Sequence, residues 1–441
     1  MVQDGDGSLT PDLAESATIV DTSTVEVVLR DGLTFSDGSP LDAAALKASL
    51  DTALANKATN EASFQPPFFA LQSVTVTDPT TARLTIGGGS AASWFDAYIA
   101  AWQTSIIKPD QTDWSTPIGG GPMVVDSFES GRSLVMSKNE SYWNADAVKL
   151  GGYEFVQISN EQPQSGIAAL RAGQVDLTIT DPTQLADVTG QLDTYARIDP
   201  NQTISMHICK KDGPLANAKF RAALNKGIDR EAINDAVYGG LAEPSTQLWP
   251  TGHKFNDPDL DEELAYDVDG AKQLLQESGY GQGATIDLHF IPFFGMETVA
   301  TVFKDQMEKI GVEVNILTGA SYVADFLEPN APGLGLYNGG TPGVAKLNAW
   351  VGDGLGNVCD YSNPALTTLY DQLKGVSQSE PKAVELWHQV DELVVGDALG
   401  GFLFFRPSLA AYDTDRVGDV QSLVLGTYIV PDPLVTYVKA G

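Results

Sequence analysis

Ala284-Thr-Ile-Asp-Leu-His-Phe290, the segment Val299 to Ile310, and Val312-Glu-Val-Asn-Ile316 together decide the fold class. Ala284, Ile286, Leu288 and Phe290 alternate with Thr285, Asp287 and His289, the period of a half-buried strand. Val299, Val302, Phe303, Met307 and Ile310 then recur with a helical period. Gly311 suits the position just past a helix end, where a left-handed backbone is favoured. Val312, Val314 and Ile316 alternate again. Strand, helix and strand within about 35 residues predict a crossover between parallel strands, and so a wound α/β domain. A preceding helix starts at Asp267, runs through Ala271, Leu274 and Leu275, and stops at Gly279.

The same patterns extend toward the N-terminus. Val25-Glu-Val-Val-Leu29 reads as a strand. Asp42 can cap a helix whose Leu46, Leu50 and Leu54 make one apolar stripe. Val74–Thr77 and Ala82–Ile86 predict a hairpin about Asp78-Pro79. Ile167 to Ala172 forms a short helix, Gly173 ends it, and Val175–Ile179 alternates as a strand. Gly333 to Gly343 is the loosest stretch, and loops of this kind commonly carry function.

At 441 residues the chain is too long for one core and predicts two or three domains. Fifty-eight acidic against 26 basic residues leave a net charge of −32. That surface repels phosphate backbones and anionic membranes, which argues against nucleic acid as a partner. No stretch approaches the roughly 18–20 apolar residues that span a bilayer. The N-terminus shows no basic segment, apolar segment or lipobox cysteine.

Catalytic patterns are absent. No G-x-S-x-G turn presents a nucleophile. His207, His253, His289 and His388 are scattered, and no H-E-x-x-H spacing supplies a metal site. Two cysteines, Cys209 and Cys359, make no zinc site. Paired carboxylates for a hydrolase are too numerous to select among. Gly119-Gly-Gly121 is followed at once by Pro122, so it is a tight turn and not a dinucleotide fingerprint. What remains is a binding cleft, largely apolar with a few placed polar groups. The aromatics worth following are Trp94, Trp102, Trp249, Phe293, Phe294, Tyr337 and Trp350. Each alone is more often core, but Trp249 and Tyr337 stand in loop contexts.

Two pairs of segments carry a family resemblance. Ile118-Gly-Gly-Gly-Pro122 is followed by Asn139-Glu-Ser-Tyr-Trp143. Lys219-Phe-Arg-Ala-Ala-Leu224 is followed by Gly227-Ile-Asp-Arg-Glu231. Together they resemble the peptide- and nickel-binding family of extracytoplasmic solute-binding proteins, the receptors of ABC importers. Leu29 to Gly38 and the helix after it resemble the family too, although Ala45 stands where members usually carry an acid.

The resemblance implies a two-lobed α/β periplasmic-binding-protein fold with an extra small subdomain in the first lobe. Residues 1–117 would form that subdomain, 118–205 plus 404–441 the main part of lobe one, and 206–403 lobe two. It implies a receptor that delivers a peptide-like or oligosaccharide solute to permease subunits, with no catalysis and no cofactor, as a monomer. The setting would be periplasmic or cell-surface attached. Gly7 to Ala14 resembles a segment that members carry only after about 50 residues of mature chain, so a signal segment and first strands are expected to be missing here. A secreted carboxylate-dependent hydrolase, or a sensor on the same fold, is the alternative.

Gly119, Gly121 and Pro122 would lie on the hinge side. Peptide-binding members have a Trp-x-x-Asp-like pattern whose carboxylate pairs with the ligand α-amine. The matching stretch is Tyr337-Asn338-Gly-Gly340, so Gly340 takes the place of the acid, and Asp353 is a candidate replacement. The expected ligand is therefore one that does not depend on a free α-amine. Some members carry a long-range disulfide, and an even pair in an exported protein is a candidate bridge. Cys209 and Cys359 are expected to pair within lobe two.

Overall fold

The computed structural model describes residues 1–3, 9–55, 68, 70–157, 164–281, 283–290, 295–318, 334–340, 343–351, 357, 360–425 and 428–439. The chain divides into two compact units. Unit one is Met1–Thr180, Ala186–Tyr195 and Leu409–Gly441; unit two is Asp181–Leu185 and Ala196–Ser408. By this division the chain passes between units at 180/181, 185/186, 195/196 and 408/409.

Unit one opens with an antiparallel sheet of β1 (Ala14–Asp21), β2 (Thr24–Leu29), β3 (Leu71–Val76) and β4 (Thr81–Ile86), in the order β1-β2-β4-β3. The turn of the β3–β4 hairpin is fixed by Asp78, whose Oδ1 accepts from the amides of Thr80 and Thr81. Helix α1 (Ala43–Ala55) starts where the carboxylate of Asp42 accepts from the amides of Ala44 and Ala45. Leu46 and Leu50 of α1 join Val25, Val27, Leu29 and Leu84 in one apolar core, together with α2 (Ala91–Tyr98). A second sheet follows, β5 (Met123–Glu129), β6 (Ser133–Lys138) and β7 (Gly152–Val156), also antiparallel. Helix α3 (Gln164–Arg171) ends at Gly173, whose φ of 67° needs no Cβ penalty, and leads into β8 (Leu177–Ile179).

The long strand β9 (Leu192–His207) carries the chain into unit two. Helices α4 (Ala218–Lys226), α5 (Arg230–Tyr238) and α6 (Val268–Glu277) come next. Strand β10 (Ala284–Phe290), helix α7 (Met296–Ile310) and strand β11 (Val312–Thr318) form the crossover that the periodicity predicts. β10 and β11 pair in parallel from Ala284↔Val312 to Phe290↔Thr318, and Gly311 closes α7 at φ 92°. Val299, Phe303, Met307 and Ile310 of α7 pack on Ile286, Leu288, Val312 and Val314.

One expectation is corrected. Within the glycine-rich stretch expected to be a loop, Leu334–Gly340 is strand β12. It pairs antiparallel with β9, Gln202↔Gly340 to His207↔Gly335, and in parallel with β10. The β9 ladder runs from Gly335 to Gly340 and the β10 ladder joins at Leu334 and Gly335; the backbone groups bonded there outweigh the weak strand preference of glycine. Helices α8 (Pro364–Lys374) and α9 (Pro381–Gly396) precede β13 (Gly400–Asp413), which returns the chain to unit one.

Candidate functional site

The two motif pairs have separate structural jobs. In unit one, Asn139 donates from its amide nitrogen Nδ2 to the Gly121 carbonyl at 2.7 Å and from its backbone to the Pro122 carbonyl at 2.9 Å. The next residues close on Asp12. Its Oδ1 accepts from the Tyr142 hydroxyl at 2.6 Å and the Trp143 indole at 2.9 Å. Arg30 donates to the Asp12 carbonyl and lays its guanidinium 3.7 Å from the Trp143 ring centre. A Cβ at Gly120 would lie 2.4 Å from a methyl of buried Leu41, so any side chain there would force that leucine to shift.

Gly119 and Gly121 also border a cavity of about 480 Å³ lined by Leu46, Leu50, Ile99 and other aliphatic groups. Its one carboxylate, Asp12, is already engaged, so this cavity suits a polar solute poorly.

In unit two the second motif is a carbonyl clamp. Asn217 caps α4 and Asp229 caps α5 through their side chains. Arg221 donates to the carbonyls of Ala398, Leu215 and Asp397 at 3.1, 3.0 and 2.6 Å. Arg230 donates to Phe402 O at 2.8 Å and to Asn225 Oδ1 at 2.8 Å, and Asn225 reaches Gly400 O. Both arginines are buried, so these carbonyls replace the water that their charge would otherwise need.

A second cluster of polar groups in unit two centres on Lys346. Lys346 lies on the short 3-10 turn Gly343–Ala349 and is half-buried. Its Nζ donates to Pro200 O at 2.7 Å and stands 4.6 Å from the Trp249 ring centre and 5.7 Å from that of Phe405. Burial pushes its ammonium down to about 8, opposed by the charges of Asp199 and Asp391.

Asp391 is fully buried on α9. Its Oδ1 accepts from Leu248 N at 3.4 Å, while Oδ2 finds no partner. Burial raises its carboxyl well above the usual range, so it holds a proton readily. Arg406 on β13 is buried, donates to Gln202 Oε1 at 3.3 Å, and feels the same Asp199.

Trp249 is the floor of this cluster. His253 stacks on it at 4.7 Å and 9°, Phe255 and Trp387 meet it edge-on, and its own indole nitrogen has no partner. Burial, helped by Lys254 and Lys346, lowers His253 to about 4.

Of the residues singled out in the sequence, Trp249 and Trp350 share one apolar cluster in unit two, 1% and 6% exposed. Trp94 is 1% exposed in the core of unit one, with its indole bonded to Phe68 O, and core packing accounts for it. Tyr337 and Asn338 lie on β12 opposite Ser205 and Ile204. Their side chains, that of Trp102, and residues Phe293, Phe294, Asp353 and Cys359 lie outside the described residues. Cys209 is disulfide-bonded. Sequence reasoning missed Lys346, Asp199, Asp391 and Arg406, for no local pattern marks a charge that will be buried. Among the described residues no cluster could hold a metal ion, and no helix is long and apolar enough to cross a membrane.

Residues 8–344 match the family model of bacterial extracellular solute-binding proteins, family 5, middle region. The chain belongs to this family. Among its curated relatives is the glutathione-binding protein GsiB of Salmonella paratyphi A, 27% identical over 316 residues, 69% of this chain and 60% of that protein. GsiB of Escherichia coli K12 is 28% identical over 290 residues, 63% of this chain and 54% of that protein. The chain thus spans little more than half the length of these relatives. Solved structures share the two-lobed fold: AppA of Clostridium difficile matches with a TM-score of 0.83 at 20% identity, covering 99% of this chain and 94% of that one. HbpA2 of Haemophilus parasuis matches at 0.82 and 19% identity, covering 100% and 93%.

Proposed function

We propose that this family 5 protein is the extracytoplasmic receptor of an ABC importer and binds a small peptide-like solute without transforming it. The observation that carries this is the family match over residues 8–344, supported by relatives named for binding glutathione, itself a modified tripeptide. Binding would work by closure: a solute touched by both lobes only in the closed state shifts the population toward it. The closed form then docks on permease subunits. Lobe one would comprise 1–205 and 404–441, with 1–117 as its small subdomain, and lobe two 206–403.

The resemblance at Tyr337–Gly340, on strand β12, suggests a further restriction. By the family resemblance Gly340 stands where peptide-binding members carry the acid that pairs with the α-amine, and we infer that recognition does not rest on that amine. A missing charge-assisted bond of roughly 1.5–3 kcal/mol weakens amine-anchored binding about tenfold to a hundredfold. Calorimetry with short peptides and glutathione, each beside its N-acetylated form, tests both points. Comparable micromolar binding of free and acetylated forms is expected. Binding that vanishes on acetylation overturns the restriction. Turnover of any member, seen by mass spectrometry, overturns the receptor reading in favour of a hydrolase.

A further inference from the structure

Lys346 is a partly buried lysine with its ammonium held in place. An ordinary lysine spends its rotamer entropy sweeping through water. Here the Pro200 carbonyl, the Trp249 ring and the Phe405 ring fix the ammonium from three separate segments. An ammonium has three N–H donors, and one is used on a protein oxygen. Among the described residues no carboxylate lies within ion-pair distance of it. Its acidic neighbours are weak counter-charges. Asp391 holds its proton readily, and Asp199 is shared with Arg406. The result is a fixed, positive, incompletely satisfied point in a chain whose net charge is −32.

We propose that Lys346 is the specificity residue of unit two that receives a carboxylate of the bound solute. This rests on the receptor reading above and deepens it. A carboxylate fits better than a phosphate, because one lysine balances one negative charge and a dianion would be repelled by Asp199. Pre-organisation matters energetically: the ordering of the side chain is complete before the solute arrives, so more of the charge-assisted bond appears as affinity. The bland alternative is that Lys346 merely pins its turn to β9 and the Trp249 face.

The test is calorimetry on the whole chain with trialanine and reduced glutathione, each as the free acid and as the C-terminal amide, with methyl phosphate as a competitor beside acetate. The wild-type protein is expected to bind at least one free acid about tenfold more tightly than its amide. In Lys346→Met and Lys346→Gln that preference vanishes while the amide binds as before. Raising the pH through about 8 removes the charge of Lys346 and should erase the preference in the wild type as well. This arm holds even if a variant fails to fold. The charged and titratable neighbours are Asp199 on β9, Asp391 on α9, and His253, Lys254 and Arg406; His253, lowered to about 4, is already neutral throughout that window.

A preference that survives both substitutions, an equal affinity for acids and amides, or methyl phosphate competing better than acetate would each overturn the proposal and leave the receptor reading intact. Absence of binding by every member, acid or amide, would overturn both.

Discussion

Arg230 Nε donates to the carbonyl oxygen of Phe402 at 2.8 Å, joining the start of α5 to a strand 172 positions later. The guanidinium spends its other donors on Asn225, Ile228 and Leu264. Arg230→Met keeps the apolar stem and strands these acceptors without a donor. A loss of about 3 kcal/mol or more is expected, since each buried bond to a charged group contributes roughly 1.5–3 kcal/mol. Denaturant unfolding followed by tryptophan fluorescence measures it. A change below about 0.5 kcal/mol would show the clamp to be dispensable.

Asp12→Asn tests the hub of unit one. The asparagine keeps the shape but loses the charge that Tyr142 and Trp143 share. Stability should fall by about 1–2 kcal/mol. Burial and, next, the Asp12 charge raise the Tyr142 phenol. Ultraviolet titration of the variant should therefore show one tyrosine ionising at lower pH than in the wild type.

His253 gives a pH signature. Its imidazole stacks on Trp249 and its Nδ1 accepts from Phe255 N at 3.2 Å, so the folded state favours the neutral ring. Burial lowers it from an ordinary 6.5 to about 4. Between those values the unfolded chain binds more protons than the folded one, so this group's contribution is full above about 6.5 and is lost as pH falls toward 4. His253→Gln should flatten the melting temperature across that window relative to the wild type. Parallel curves for the two proteins would show that His253 is not linked to folding.

The two cysteines supply a covalent prediction. Non-reducing peptide mapping should join the Cys209 peptide to the Cys359 peptide. Replacing both by serine should cost about 2–5 kcal/mol, because the bridge closes a long loop. Recovery of either cysteine as a free thiol from the native protein would exclude the pairing.

The α/β class was legible because two periods, two and 3.6, are written directly in residues 284–316, and because Asp42, Asp267 and Gly311 occupy positions that only caps require. The Gly333–Gly343 stretch misled because strand formation there is imposed by neighbours on both sides, which no local pattern records. Loop context picked out Trp249, but a turn such as Pro250–Gly252 does not say which way the preceding ring faces; it faces inward. The Lys346 cluster draws on positions 199, 346, 391 and 406. Only the fold brings these together, and a charged residue looks the same in sequence whether it will be solvated or buried.

Among the described residues every acceptor of Arg221 is a main-chain oxygen, as are most acceptors of Arg230. The polar bonds that anchor the start of β13 thus fall on backbone oxygens, while its side chains do a separate job: Ala398, Leu399 and Phe402 are buried, and a Cβ at Gly400 or Gly401 would run into Phe402 or Ile208. Substitutions at these positions would therefore disturb packing first and leave the acceptors of the two arginines in place. Hydrogen bonding and close packing are thus written into the same few residues on separate atoms, one set on the main chain and the other on the side chains.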